Sequence, residues 1–412
     1  MTAAPVAHRL RFPDLDRDIP ASPDESIFQG ARRHGVRIVG ACGGRGTCGT
    51  CVVRIADGQV GPVAAGDDTP VAEARRKLWV RSCQVRPAGD CTVDIAPRSL
   101  APVVRAEAQA EGRELLALEP MVRSVELSLP PPTLDDPRAD TDRLAAALAQ
   151  PLMSVDLLAA RELPAALRSA NWTARAHLRD PDHRDPDHRG PELIGLSPAG
   201  SLSLGLAVDL GTTNAAAFLV DLHSGERLAS LGLENPQVAW GADLISRINV
   251  AIQKPGGAED LRVAAVTAIN ALAHDLCRAV GARSQEIVDL VICGNTAMHH
   301  LLLGLPVAQL GRAPFVAALR QGLDLKARDL GLSVCSGAWV HMVPNVGGFV
   351  GGDHVAALLA TQPRWQHGGV SLVMDIGTNT EITLIHDGQM HSASCPSGPA
   401  LEGGHISCGM RA

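Results

Sequence analysis

Several residue types are scarce in this 412-residue chain. It has no tyrosine, and aromatic residues make up only 2% of it. Lysine is confined to Lys77, Lys254 and Lys326, so arginine carries the positive charge; this reads as a compositional bias of the genome and not as a functional signal. There is no basic excess, and a net charge of −7 argues against general nucleic-acid binding. No apolar run approaches the roughly 18 residues of a membrane span. The N-terminal stretch MTAAPVAHRLRF lacks the apolar core of a secretion signal, so a cytoplasmic location is expected. What is plentiful is apolar residues, at 46%, enough for well-filled cores in the two to four domains that this length predicts.

Cysteine is the informative residue. Ten are present, and four stand out: Cys42, Cys48 and Cys51 in ACGGRGTCGTC, and Cys83 in RSCQ. Thiolates packed into a glycine-rich loop, with a distant fourth, suit an iron–sulfur cluster held by four cysteines. Gly43, Gly44, Gly46 and Gly49 let the backbone turn tightly and aim N–H groups at the negative cluster. Structural zinc more often shows two paired C-x2-C knuckles, and here only Cys48 and Cys51 have that spacing. Disulfides are disfavoured in a chain with no secretion signal. Cys91 is an alternative to Cys83 as the fourth ligand.

The C-x5-C-x2-C…C spacing resembles the adrenodoxin-type [2Fe–2S] ferredoxins, one residue longer than the plant-type pattern. The stretch VRSCQVRPAGDCTVDIA resembles the ferredoxin ending, which favours Cys83 and leaves Cys91 as a buried thiol. Around the cysteines, HRLRF reads as a strand, and Ser22-Pro23-Asp24-Glu25 has a capping-box layout for a helix over SIFQGARRHG that stops at Gly35. TCVVRI, CQV and TVDIA read as further strands. That order resembles the β-grasp ferredoxin fold, and residues 1–96 are expected to form this domain.

Composition shifts divide the rest. Residues 97–120 read as a linker with a short polar helix. Residues 121–202 read as a small α+β middle domain, with a strand at MVRSVELSL and helices at TDRLAAALAQ and VDLLAARELPAALRSA. DPDHR occurs twice in tandem at 180–189; alternating Asp and His suits a metal in principle, and a solvated loop insertion is the plainer reading.

Residues 203–412 carry the second signal. SLGLAVDLGTTN is a buried apolar strand ending in Asp209 and a Gly-Thr-Thr-Asn turn; VSLVMDIGTNTEITLIHDG repeats the pattern with Asp375 and Gly-Thr-Asn-Thr. Gly211 and Gly377 let each hairpin approach phosphate oxygens, and the hydroxyls of Thr212, Thr213 and Thr378 donate to them. Asp209 and Asp375 can hold a hydrated Mg²⁺ between the loops. Two ordinary hairpins remain the plainer alternative. Between the loops, EDLRVAAVTAINALAHDLCRAVG has helical spacing, and IVDLVICG precedes a Gly-Asn turn and a helix. His299 and His300 are adjacent on that helix and point about 100° apart, which suits a helix-start polar pair better than one metal ion. Asp353, inside a helix start, either faces the cleft or acts as a cap.

The duplicated strand–DxGT–strand unit resembles the phosphate-1 and phosphate-2 loops of the actin and hexokinase superfamily. Joined to a [2Fe–2S] domain, it resembles the reductive activators of corrinoid proteins. Further matching stretches are NPQVAWGADLISRI (235–248), GNTAMHHLLLGL (294–305), GGFVGGD (347–353) and CPSGPALEGGHISCGMRA (395–412). The resemblance implies a multidomain α+β and α/β chain: a β-grasp ferredoxin domain, a middle domain and a partial actin-like, ribonuclease-H-like nucleotide-binding domain. It implies that Cys42, Cys48, Cys51 and Cys83 hold the cluster. Asp209, Gly211, Thr212 and Thr213 form phosphate-1, and Asp375, Gly377, Thr378 and Asn379 form phosphate-2, with ATP and Mg²⁺ as ligands. Asp375 or Glu381 would orient the attacking water. The implied activity is ATP-dependent passage of one electron to an inactive Co(II) corrinoid protein or corrinoid methyltransferase, restoring Co(I), with an upstream electron donor as a second partner. A homodimer is left open. The chain ends soon after Asp375, before an adenosine loop, which leads to the expectation of a truncated member with an uncovered apolar strand at 370–376 and doubtful hydrolysis. A [2Fe–2S] carrier without productive ATPase activity and a kinase-like phosphotransferase are the alternatives.

Overall fold

A computed structural model describes residues 7–40, 44, 46, 49–63, 79–100, 104–105, 118–180, 190–241 and 243–398. The first unit opens with a hairpin of β1 (His8–Phe12) and β2 (Arg17–Ala21), then α1 (Ile27–Arg33), β3 (Val52–Asp57), β4 (Val60–Pro62), β5 (Trp79–Arg81), β6 (Val85–Pro87) and β7 (Cys91–Ile95). Its five-stranded sheet has the order β2-β1-β7-β3-β5, with β1 and β7 parallel. Period-two burial on β7 sends Cys91, Val93 and Ile95 inward, onto Leu10, Phe12, Ile27 and Ala31. This is the arrangement expected of a β-grasp unit.

One local expectation is corrected. Ser22 does not cap α1; the cap is Ser26, whose hydroxyl accepts from the Gln29 N–H (3.1 Å) while Gln29 Oε1 accepts from the Ser26 N–H (2.9 Å). Ser22 instead closes its own turn, donating its N–H to Glu25 Oε1 at 2.7 Å, so Pro23 lies in the approach and not in the helix. Gly35, at φ +66°, ends the helix as expected.

In the linker, β8 (Val104–Arg105) is a strand; the expected polar helix falls on residues outside those described. The second unit contains β9 (Val122–Ser128), α2 (Asp140–Leu148), β10 (Ser154–Val155), α3 (Leu157–Ser169), β11 (Thr173–Arg179) and β12 (Glu192–Ser197), with sheet order β10-β12-β11-β9. Leu144 of α2 and Leu163 and Leu167 of α3 share one core with Leu127, Ala174, Ala176 and Leu178 of the sheet. Of the tandem DPDHR segments only Asp180 is described, and it pairs with Arg123 at 2.9 Å.

The third unit holds β13 (Leu204–Leu210), β14 (Asn214–Asp221), β15 (Arg227–Glu234), α4 (Leu244–Gln253), α5 (Gly257–Ala279), β16 (Ile287–Gly294), α6 (Thr296–Leu302), β17 (Leu323–Lys326), α7 (Ala327–Leu330), β18 (Trp339–Met342) and α8 (Gly352–Trp365). Its seven-stranded sheet runs β17-β18-β16-β13-β14-β15-β8. The antiparallel meander β13-β14-β15 is extended by parallel β16 and β18. Alternating Leu and Val on β13 and the stripe Leu261, Ala265, Ile269, Leu272 and Leu276 of α5 fill the main core.

β19 (Val370–Ile376), β20 (Asn379–His386) and β21 (Gln389–Pro396) make a separate antiparallel sheet. β13 is buried as its composition predicts. β19 is not: Val370, Leu372, Met374 and Ile376 alternate outward and stand exposed among the described residues, with Val370 at 69%. No helix among the described residues is long and apolar enough to cross a membrane.

Candidate functional site

Two sites emerge, one in the first unit and one between the third unit and the β19–β21 sheet. In the first, the loop before β3 needs left-handed backbone at Gly44 (φ +87°), Gly46 (+78°) and Gly49 (+69°), where other residues are strained. Gly40 is held by space instead, since a Cβ there would sit 2.2 Å from the Phe28 ring. Arg81 ties the loop by donating to the Gly46 carbonyl at 2.8 Å. Inside it lie Cys51 and Cys83, both buried, with Phe28 packed against them. Their sulfurs are 3.3 Å apart, far beyond the ~2.05 Å of a disulfide. A convergent thiol pair in a glycine cradle fits cysteinyl ligation of a cluster. Cys42 and Cys48 lie outside the described residues. Cys91 sits elsewhere, in the sheet core, with its thiol donating to Gln59 O at 3.3 Å and its pKa raised first by burial.

The second site is built on β13. Gly211 follows Asp209 and Leu210, and a Cβ there would meet Asn214 O at 2.7 Å, so the turn demands glycine. Thr213 Oγ1 lies 2.9 Å from Thr378 Oγ1, which brings the two predicted loops into contact. The second loop is a tight turn closed by Gly377 N–H donating to Asn379 O at 3.1 Å.

The support for the first loop was not legible as such in the sequence. Asn235 donates its side-chain N–H to Gly211 O (2.7 Å) and its backbone N–H to Thr213 O (2.8 Å). Arg247, fully buried, donates to Thr212 O (2.5 Å), Gly241 O (2.9 Å) and Gln237 Oε1 (3.2 Å). Burial lowers its pKa to about 10, against the pull of Asp243. Asn295, the cap of α6, donates to Thr212 Oγ1 at 2.8 Å. All three fall inside the motif stretches NPQVAWGADLISRI and GNTAMHHLLLGL, whose individual roles only the fold reveals.

Carboxylates crowd the cleft. Asp209 faces open solvent yet is densely surrounded; burial by neighbouring protein, then Asp375, pushes its pKa up to about 6. Asp353 is pushed up to about 7 by burial and then by Glu381, Asp375 and Asp209. It therefore faces the cleft, while its carboxylate also accepts the His354 N–H at 2.8 Å. Glu381, opposite Asp375 in the β19–β20 register, is raised by burial and Asp375 although Ser394 donates to it at 3.0 Å. Burial and Asp209 raise the Cys293 thiol far above the usual range, so it is a packing residue and not a nucleophile. Among the described residues no group of His, Cys, Asp or Glu has the spacing to grip a bare metal ion.

His299 and His300 are not the polar pair expected at a helix start: both are buried. His300 is satisfied by Thr296 O at 2.7 Å and by the Ala318 N–H at 2.9 Å, so it pins a loop to α6. Burial lowers the pKa of His299 to about 4 and also lowers that of His300, leaving both neutral.

Known proteins match this layout in the same order. Residues 13–88 match the model of the 2Fe-2S iron-sulfur cluster binding domain. Residues 111–201 match the RACo linker region, 204–364 the RACo middle region, and 369–412 the C-terminal domain of RACo, the ASKHA domain. A corrinoid activation enzyme, RamQ, of Eubacterium limosum is 27% identical over 98% of this chain and 63% of its own length. A [Co(II) methylated amine-specific corrinoid protein] reductase of Methanosarcina barkeri is 27% identical over 50% of this chain and 39% of its own. The solved structure of a reductive activator for corrinoid, iron-sulfur protein is 31% identical with a TM-score of 0.61, over 98% of this chain and 65% of that one. The chain thus spans somewhat under two-thirds of the length of the relatives that it matches end to end. With a cluster-binding domain followed by all three RACo regions, the chain belongs to the RACo family, the reductive activators of corrinoid proteins.

Proposed function

We propose that the chain works as an ATP-dependent reductive activator of a corrinoid protein. Cys42, Cys48, Cys51 and Cys83 would hold the [2Fe–2S] cluster, which supplies one-electron transfer when bound. The electron would go to an inactive Co(II) corrinoid, giving Co(I), and an upstream donor would return the oxidised cluster to its reduced state. In the third unit, Gly211, Thr212 and Thr213 would present N–H and hydroxyl donors to one side of the phosphates, and Gly377, Thr378 and Asn379 to the other. Asp209 and Asp375 would orient hydrated Mg²⁺. Asp375 or Glu381 would orient the water that attacks the terminal phosphate, giving ADP and inorganic phosphate. Residues 1–96 would be the electron-transfer domain, 97–120 the linker, 121–202 a middle domain and 203–412 the actin-like part.

One observation supports the reading above the others: the 2.9 Å contact between Thr213 and Thr378, which brings the two proposed phosphate loops together in a chain that also carries the thiol cradle. A clamp has no place in a simple electron carrier. The test measures ATP binding and phosphate release by the cluster-loaded chain, with and without a Co(II) corrinoid protein. Phosphate release that rises with the corrinoid partner supports the reading. Phosphate transfer to a small molecule, or no nucleotide binding, contradicts it.

A further inference from the structure

We propose that helix α1 couples the cluster loop to the phosphate-1 loop, with Phe28 sensing the first and Arg32 positioning the second through Glu234 and Asn235. This rests on the reading of Gly211–Thr213 as a phosphate loop. Phe28 and Arg32 are four residues apart and so lie on one face of the helix. At Phe28 the fit to the cluster loop has no slack. The ring lies against Cys51 and Cys83, and a Cβ at Gly44 would come within 3.2 Å of it. A close-packed contact passes displacement on instead of absorbing it.

At the other end Arg32 Nη2 lies 2.5 Å from Glu234 Oε1, both side chains being mostly shielded from solvent. Glu234 is the last residue of β15, and the next residue, Asn235, makes the two bonds that hold Gly211 and Thr213. A second tie runs through charge: Arg32 is close enough to Arg247 to lower its pKa, and Arg247 holds Thr212 O. The base of the helix is fixed as well. Arg37 Nε donates to the buried Asp275 of α5 at 2.9 Å, and Gly35 sits so close to Ala271 that a Cβ there would approach it to 2.7 Å. α1 is therefore a short rigid link anchored on α5, touching the thiol cradle on one side and the loop's supports on the other.

A cluster held by the thiol cradle would gain negative charge on reduction, and a change in the packing of Cys51 and Cys83 would press on Phe28. The displacement would reach Asn235 through the Arg32–Glu234 pair. Coupling between sites is reciprocal, so a redox state that changes ATP affinity implies that ATP changes the cluster's potential by the same factor. For one electron, tenfold corresponds to about 59 mV.

The experiment uses the cluster-loaded full chain, oxidised and dithionite-reduced. It reads hydrogen exchange at Gly211–Asn235 without nucleotide, and ATP affinity in both redox states. Reduction is expected to change exchange of the Asn235 amide, and ATP affinity, at least threefold. Glu234→Gln, which keeps size and polarity, and Arg32→Ala are each expected to abolish both responses while cluster absorbance stays intact. Phe28→Leu is expected to retain part of the response and Phe28→Ala to lose it. Exchange that ignores redox state, or a response that survives Glu234→Gln and Arg32→Ala, overturns the coupling. If exchange responds but ATP does not bind, the coupling stands and the proposed function fails. If ATP binds equally in both redox states, the proposed function stands and the coupling fails.

Discussion

The hydroxyls of Thr213 and Thr378 are 165 positions apart in sequence and 2.9 Å apart in space. The contact joins the turn after β13 to the turn after β19, the two halves of the proposed clamp. Preorganised donors of this kind cost little to align when a ligand binds. Thr378→Val removes one hydroxyl from the pair and, in the proposed clamp, one donor to the phosphate. ATP affinity is expected to fall about 2- to 12-fold, the range of one net hydrogen bond of 0.5–1.5 kcal/mol. Thr213→Val should do the same, and the double variant should lose less than the sum, because the two act on one another. Titration calorimetry of the four proteins checks this.

The cradle makes a cleaner distinction between cysteines. Cys83 lies beside Cys51, whereas Cys91 lies in the β-sheet core. Cys83→Ala is expected to abolish the visible absorbance and the EPR signal of the reduced cluster. Cys91→Ala should keep both and cost only about 1 kcal/mol of stability, as a small core truncation does. Iron analysis and EPR of the two variants separate them.

The carboxylate cluster sets a pH dependence. Asp353 is raised to about 7 and Asp209 to about 6, well above the 3.8 of an unperturbed aspartate. The folded state therefore holds these protons more tightly than the unfolded state, so this contribution to stability is present below about pH 4 and lost as pH rises to about 7. Asp353→Asn should raise the melting temperature relative to wild type at both pH values, more at pH 8 than at pH 5. Each ~1 kcal/mol of relieved repulsion is worth about 2–4 °C in a domain of this size. Mg²⁺ needs the ionised carboxylates, so its stabilising effect on the wild type should grow from pH 5 to pH 8. Thermal melts at both pH values, with and without Mg²⁺, check both signs.

Arg247 holds the turn after β13 from beneath. Arg247→Met would leave Thr212 O and Gly241 O without their donor in a buried site. A loss of ~2–4 kcal/mol is expected from the stranded acceptors, together with weaker ATP binding. Denaturant unfolding with and without nucleotide reads both.

Much of this was legible in the sequence because local patterns carried it. Gly44, Gly46 and Gly49 announced a tight loop, and all three take left-handed backbone. HRLRF gave β1, the apolar run SLGLAVDL gave β13, and helical spacing gave α5. The position of the α1 cap was misread because Ser22–Glu25 and Ser26–Gln29 form successive reciprocal turns, and only the backbone at Ser26 shows which one opens the helix. The burial of His299 and His300 was missed since their partners, Ala318 above all, come from a distant loop. Asn235, Arg247 and Asn295 were invisible as loop supports for the same reason: each acts through a backbone carbonyl or hydroxyl far away in sequence. The exposed face of β19, by contrast, matches the uncovered apolar strand expected at 370–376.

The most direct measurement mixes the anaerobic, reduced, cluster-loaded chain with a Co(II) corrinoid protein and follows Co(I) absorbance with and without Mg-ATP. The account predicts that Co(I) accumulates and that ATP increases its amount or rate about tenfold or more. Co(I) formation at the same rate without ATP, or none in its presence while the cluster is shown to be reduced, would contradict it.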